Sequence, residues 1–148
     1  MLMNFAKRKG EGGPALQKLG RRTGHRVARL NDSLFVAGGV DREGDWVHEV
    51  LRINTQNGGL DSLLLDTALT LEGFSMFSLQ ENLYLWGGQS ISKGNSSLPS
   101  YSDQLLHFDG SRFTPLRQSG QRPPPRADHL SASFGAKYFI IFAGHNHQ

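Results

Sequence analysis

Residues 83–88 read LYLWGG, four apolar residues followed by two glycines. The same pattern stands at residues 34–39 (LFVAGG), and it returns at residues 139–144 (FIIFAG), where alanine replaces the first glycine. Short runs of aromatic and β-branched residues that end at glycine are typical of buried strands rather than of helices. The chain therefore contains one structural unit three times, at a spacing of roughly fifty residues.

The similarity between the units extends to both sides of this strand. A first strand and a polar turn precede each copy, which predicts a β-hairpin. These first strands lie at residues 24–30, 73–77 and 126–132. An acidic residue, alternating apolar residues and a final Asn or Asp follow two of the copies, at 49–54 and 103–109, with a further strand near 60–65 and 112–116. Each full unit is thus predicted to form four short antiparallel strands, with essentially no helix in the chain.

The pattern of Arg-x-x-His, an apolar strand that ends at Gly-Gly, and an acidic-apolar strand resembles the kelch repeat. The resemblance covers residues 21–148 and is most specific at residues 123–144. The sequence departs from the family at Leu51 and Leu106, where kelch repeats usually have tyrosine, and it lacks the outer-strand tryptophan. The resemblance implies an all-β fold, a partial kelch-type β-propeller of about two and a half four-stranded antiparallel blades.

The repeats divide the chain into an arm and a repeat region. Residues 1–22 are interpreted as a basic N-terminal arm or the end of a preceding blade, and residues 23–148 as kelch repeats (23–71, 72–122 and an incomplete 123–148). Because propellers usually have four to eight blades, we expect a fragment, a truncated product or a piece that another chain completes. The uncharged run at residues 139–142 would then be exposed, and the isolated chain should self-associate.

Positive charge is concentrated at the N-terminus. Residues 1–29 carry eight Lys or Arg and one acid, whereas the other residues carry eight bases and twelve acids. A solvated tail is the favoured interpretation, and a nucleic-acid contact or an organelle-targeting peptide are the alternatives. The chain has no cysteine, which excludes disulfides and thiolate metal sites.

Several motif residues invite a catalytic interpretation, but the resemblance implies that they are structural. It implies that Arg126 and His129 hydrogen-bond between neighbouring blades, where buried polar groups need partners. The glycine pairs are not followed by a helix, so a phosphate site is not favoured. The residues assigned to the structural motif are Arg126, His129, His25, Gly38, Gly39, Gly87, Gly88 and Gly144.

Two loops supply candidate partner-binding residues. Arg42 and Trp46 lie in a charged loop, where Trp46 is either a contact residue or a side chain folded over the blade edge. Lys93 and Asn95 lie in the long polar loop at residues 89–102. His145 and His147 have a spacing that could bind a metal, but no third ligand lies nearby in sequence, so a loop is preferred and no metal is expected.

These features predict a protein-interaction scaffold that binds another protein through its blade loops and is not an enzyme. We expect no cofactor, no contact with a membrane and an intracellular, cytoplasmic location. One alternative is the propeller domain of a larger enzyme, mutarotase-, lyase- or oxidase-like, although a radical copper oxidase would need a Cys–Tyr pair. The other is a nucleic-acid contact through residues 1–29. Fold analogy supports these functions but does not decide between them.

Overall fold

The computed structural model describes residues 21–65, 69–90 and 98–146, and these residues form strands and turns without any helix. Their strands are β1 (Arg26–Leu30), β2 (Ser33–Ala37), β3 (Glu49–Asn54), β4 (Leu60–Leu64), β5 (Ser75–Leu79), β6 (Asn82–Trp86), β7 (Gln89–Ser90), β8 (Ser100–Tyr101), β9 (Leu105–Phe108), β10 (Phe113–Pro115), β11 (Leu130–Phe134) and β12 (Tyr138–Phe142). The predicted all-β fold is confirmed.

The strands form two four-stranded antiparallel sheets and a hairpin. Sheet 1 has the order β1-β2-β3-β4, sheet 2 has the order β5-β6-β9-β10, and β11 pairs with β12 in the hairpin. Within each full sheet, consecutive strands are neighbours, apart from the short insertion of β7 and β8. This is the meander predicted from the repeated sequence.

Residues 89–102 were predicted as a long polar loop, but the two ends of this segment pair as a β-ribbon. Gln89 pairs with Tyr101 and Ser90 with Ser100, so the two ends of the loop form a separate two-stranded sheet. Alternation of apolar and polar residues is absent from these dipeptides, and the sequence therefore gave no signal of pairing. The candidate residues Lys93 and Asn95 lie outside the described residues.

The main core lies between sheets 1 and 2. Residues paired across an antiparallel ladder share a face, so Ala28 and Phe35 point to the same side of sheet 1. That side meets the face of sheet 2 that carries Leu85 and Phe108, and the rings of Phe35 and Phe108 make an edge contact with centroids 6.2 Å apart. The buried cluster comprises Ala28, Phe35, Ala37, Val50, Leu65, Leu69, Phe74, Met76, Leu83, Leu85, Leu106 and Phe108.

The hairpin packs on the opposite face of sheet 2. Phe139 stacks on Phe77 with centroids 3.5 Å apart, and His129 makes an edge contact with Trp86 at 4.9 Å. Backbone hydrogen bonds also join the two elements, because the N–H of Gly88 donates to the carbonyl of Arg126 at 2.9 Å. Trp86 is 2% exposed, in agreement with its predicted core position.

A glycine after the second strand allows the next unit to approach closely. Gly38 has φ +68°, and a Cβ there would lie 2.6 Å from Cε1 of Phe74. Gly87 has φ +72°, and a Cβ there would lie 2.9 Å from Cε1 of His129. Both the backbone conformation and the space exclude larger residues. Each glycine therefore faces the ring that begins the following unit.

Candidate interaction surfaces

The hairpin presents a wholly apolar outer face. The side chains of β11 and β12 alternate, and one set points away from sheet 2. We name this set the hairpin face: Leu130, Ala132, Phe134, Tyr138, Ile140 and Phe142. Its large side chains are 52% to 67% exposed. A contiguous apolar patch of this kind on a surface marks an interaction site.

Equivalent positions in the other two units are covered. Ala37, Trp86 and Phe142 occupy the same place in the repeated pattern, and they are 0%, 2% and 67% exposed. Sheet 2 covers Ala37, and the hairpin covers Trp86. In the described part of the chain β12 pairs with β11 alone, whereas β2 and β6 each have a further strand at that edge. The hairpin therefore offers both an apolar face and a strand edge.

A second surface surrounds the charged loop that follows β2. The carboxylate of Asp41 accepts hydrogen bonds from the backbone N–H groups of Glu43 at 3.0 Å and Asp45 at 2.8 Å, which folds residues 41–45 into a tight turn. Val40 pairs with both Thr23 and Trp46. This pairing holds residues 21–23 beside the loop, although the β1–β2 hairpin separates them from it along the chain.

Two concavities of about 350 Å³ each flank this loop. Both are lined by Arg21, Arg22 and Asp41. Val36, Val40, Arg42 and His25 contribute to the first, and Trp46, Val47, His48, Glu49 and Leu64 to the second. We call them the arginine cavities.

Arg22 is the most buried charged side chain of this surface. Its side chain is 5% exposed, and its Nη2 donates to Oε1 of Glu49 at 3.0 Å. The other carboxylate oxygen of Glu49 accepts a hydrogen bond from the hydroxyl of Ser62. The Nε and Nη1 atoms of Arg22 are buried without a hydrogen-bond partner. Unsatisfied buried donors are uncommon and call for a physical explanation.

The sequence-predicted loop residues lie at this surface. Arg42 is exposed and lines the first cavity, and Trp46 is half-buried and lines the second beside Leu64. Intermediate burial of Trp46 fits both interpretations. Their assignment as partner-binding residues stays a prediction.

Arg126 and His129 lie at the interface between sheet 2 and the hairpin, but their side-chain contacts differ from those expected. Arg126 donates from Nη1 to the carbonyl of Ala143 at 2.8 Å and from Nε to that of Pro124 at 3.2 Å, both within its own unit. His129 is 5% exposed, and neither ring nitrogen has a hydrogen-bond partner. The expected side-chain hydrogen bonds between blades are replaced by ring packing of His129 on Trp86. Burial, with Arg126 and Arg26 nearby, lowers the pKa of His129 to about 4.

The other motif residues are also placed. Gly39, Gly88 and Gly144 have positive φ angles and lie against backbone at the start of their own unit. The side chain of His25 is exposed and lines the first arginine cavity. His145 pairs through its backbone with Ala127, and its ring contacts Tyr101 at 5.7 Å. His147 lies outside the described residues, within which no cluster of three or more metal-ligating side chains occurs.

Sequence reasoning missed part of each surface. It identified the run at 139–142, but Phe139 and Ile141 face inward and only Ile140 and Phe142 belong to the hairpin face. The alternation in Leu130–Phe134 (LSASF) was a readable signal for the remaining positions. No local pattern indicated that Arg22 pairs with Glu49, which lies 27 residues away.

The described part of the basic N-terminal segment is partly engaged in contacts. Arg22 pairs with Glu49, Arg26 with Asp128 at 3.4 Å, and Arg29 donates to the carbonyl of Asn31. The hypothesis of a nucleic-acid contact also rests on lysines before residue 21, which lie outside the described residues. Within residues 21–65, 69–90 and 98–146, no helix is long and apolar enough to cross a membrane.

The chain was compared with known proteins. No protein-family model matches it. The sequence is 36% identical over 84 residues to Tip elongation aberrant protein 1 of Schizosaccharomyces pombe, a kelch-repeat protein. That match covers 51% of this chain and 7% of the relative. It supports the resemblance to kelch repeats noted from the glycine-terminated strands.

The structure is similar to that of YjhT, a kelch-type propeller, with a TM-score of 0.65 and 15% sequence identity. The chain has a β-propeller fold. The match covers 84% of this chain and 38% of YjhT. The chain thus spans well under half the length of each of these two proteins.

Proposed function

We propose that the chain is a protein-interaction module built on kelch-like repeats and that it is not an enzyme. The observation that carries the proposal is the hairpin face, where six apolar side chains are arranged on one side of two paired strands. Burial of such apolar surface is the main favourable term in association, and the ordering of the two chains offsets part of it. A polypeptide partner that covers it would gain most from this term.

The partner that fits the hairpin face is a β-sheet with an apolar side. Within the chain, sheet 2 covers Phe35 of sheet 1, and the hairpin covers Phe77 of sheet 2. The same stacking on Ile140 and Phe142 would add a further sheet, supplied either by more blades or by another protein. A strand added to the free edge of β12 through backbone hydrogen bonds would be a separate mode of contact. The loop residues Arg42 and Trp46 provide a separate contact surface for another protein.

Size-exclusion chromatography with light scattering tests the proposal. We expect the 148-residue chain to self-associate and the double variant I140E/F142E to shift toward a monomer of 16.4 kDa, because charge opposes burial of the hairpin face. The matched control is L98E/L116E, since Leu98 and Leu116 are 74% and 40% exposed and belong neither to this face nor to the arginine cavities. A wild-type chain that is a compact, cooperatively melting monomer would contradict the proposal.

A further inference from the structure

We propose that the arginine cavities bind an acidic peptide, with a carboxylate seated on Arg22 and apolar side chains on either side of it. The proposal goes beyond the interaction function carried by the hairpin face, because it concerns another surface and another chemistry. It rests on the geometry around Arg22 and on the composition of the cavity walls.

The guanidinium of Arg22 is incompletely satisfied. Its side chain is 5% exposed, and Glu49 accepts a hydrogen bond from Nη2, while Nε and Nη1 have no partner among the described residues. A buried donor that has lost its water without gaining an acceptor is costly, and a ligand oxygen would remove that cost. Carboxylate is a suitable ligand, because its paired oxygens match the planar N–H donors of a guanidinium.

The charge of the surface favours an anion. Arg21, Arg22 and Arg42 line the cavities, against the acids Asp41 and Glu49. Both acids are engaged: Asp41 accepts backbone N–H groups in its own turn, and Glu49 is bonded to Arg22 and Ser62. Arg21 and Arg42 are exposed, so their charges are accessible to a ligand at the cavity mouths.

The residues that line the two cavities indicate which groups of the peptide lie on either side of its carboxylate. Val36 and Val40 line the first cavity, and Trp46, Val47 and Leu64 line the second. Each concavity, at about 350 Å³, has room for an aliphatic side chain. The ligand that matches this order is an extended segment with an acidic residue at its centre and apolar residues two positions before and after it, because residues at that spacing point to the same side. Such a segment would bury apolar surface at both ends and hydrogen-bond at its centre.

Fluorescence anisotropy with end-blocked, labelled pentapeptides tests the inference. LSESL should bind at least about tenfold more tightly than LSQSL, because hydrogen bonds to a charged group are the stronger ones. The variant R22Q/E49Q, which exchanges the ion pair for two amides, should lose this preference. R42Q should weaken LSESL binding several-fold while leaving the melting temperature unchanged, since Arg42 is exposed. I140E/F142E should leave binding unchanged.

The matched control is R29Q, which removes the same charge from an exposed arginine that lines neither cavity. Equal losses in R29Q and R42Q would overturn the proposal, because they would show attraction to net charge alone. Equal affinity for LSESL and LSQSL would also overturn it. An oligo(dT) probe that displaces LSESL and depends on Arg42 would assign the surface to nucleic acid instead. Self-association is measured separately, so failure here leaves the hairpin face unaffected.

Discussion

The two interfaces between successive units use the same glycine but place different rings against it. At the first interface Gly38 meets Phe74, which is fully buried among apolar side chains. At the second, Gly87 meets His129, which is equally enclosed but has two ring nitrogens without partners. The backbone arrangement is therefore independent of the polarity of the ring. The polarity of the ring instead decides how the stability of each interface depends on pH.

The largest expected difference between the interfaces is in pH dependence. The pKa of His129 falls from 6.5 to about 4 on folding, mainly through burial. Between these values the unfolded chain binds more protons than the folded chain, so stability falls as pH falls. The loss should reach up to about 3 kcal/mol near pH 4 relative to pH 7. Urea unfolding at pH 7 and at pH 4.5 measures most of it.

The reference for this measurement is H129F, which should show a much smaller change over the same range. Asp109 contributes little between pH 7 and pH 4.5: backbone hydrogen bonds from Ser111 and Arg112 lower its pKa in the folded chain, so its stabilising effect is lost mainly below the unfolded value of 3.8. If the wild-type chain and H129F lost equal stability between pH 7 and pH 4.5, the assignment of the pH response to the second interface would be wrong.

Close approach at the glycines can be compared directly with G38V and G87V. Both substitutions force a positive φ on a β-branched residue and should cost roughly 1–3 kcal/mol each. G38V should cost more, because its Cβ would lie 2.6 Å from the Phe74 ring, against 2.9 Å from His129 at Gly87. Unfolding curves at pH 7 rank the two. A defect in partner binding with unchanged stability would show that these glycines are functional and not structural.

The smallest expected effect is an increase in the free energy of unfolding. H129F places at the second interface the ring that the first one already uses, and it removes two unsatisfied nitrogens. We expect about 1 kcal/mol of added stability at pH 7, because an unpaired buried polar group is replaced by an apolar group of similar shape. Thermal unfolding at pH 7 would show it as a higher melting temperature. A lower one would indicate that His129 has a hydrogen-bonding role.

The local sequence pattern was sufficient to predict the strands of the three repeat units, but it did not predict the side-chain contacts between units. The run at residues 83–88 indicated a buried strand, and Trp86 is indeed in the core. Arg126 and His129 were recognised as a motif, but their partners depend on how far the hairpin approaches sheet 2, which no spacing along the chain encodes. The loop with Arg42 and Trp46 was identified from its composition. Arg22 was missed, because the pairing of Thr23 with Val40 brings it there from outside the loop.

The β7–β8 ribbon suggests where the protein can be extended. Gln89 and Tyr101 are paired, so the chain leaves sheet 2 and returns to it at one place. Additional residues between Ser90 and Ser100 would then enlarge a loop whose ends are already joined. Each doubling of such a loop costs only about 0.6 kcal/mol in closure entropy. An epitope tag or a fluorescent label can be grafted in this segment, which also holds the candidate residues Lys93 and Asn95, while the hairpin face and the arginine cavities stay unaltered.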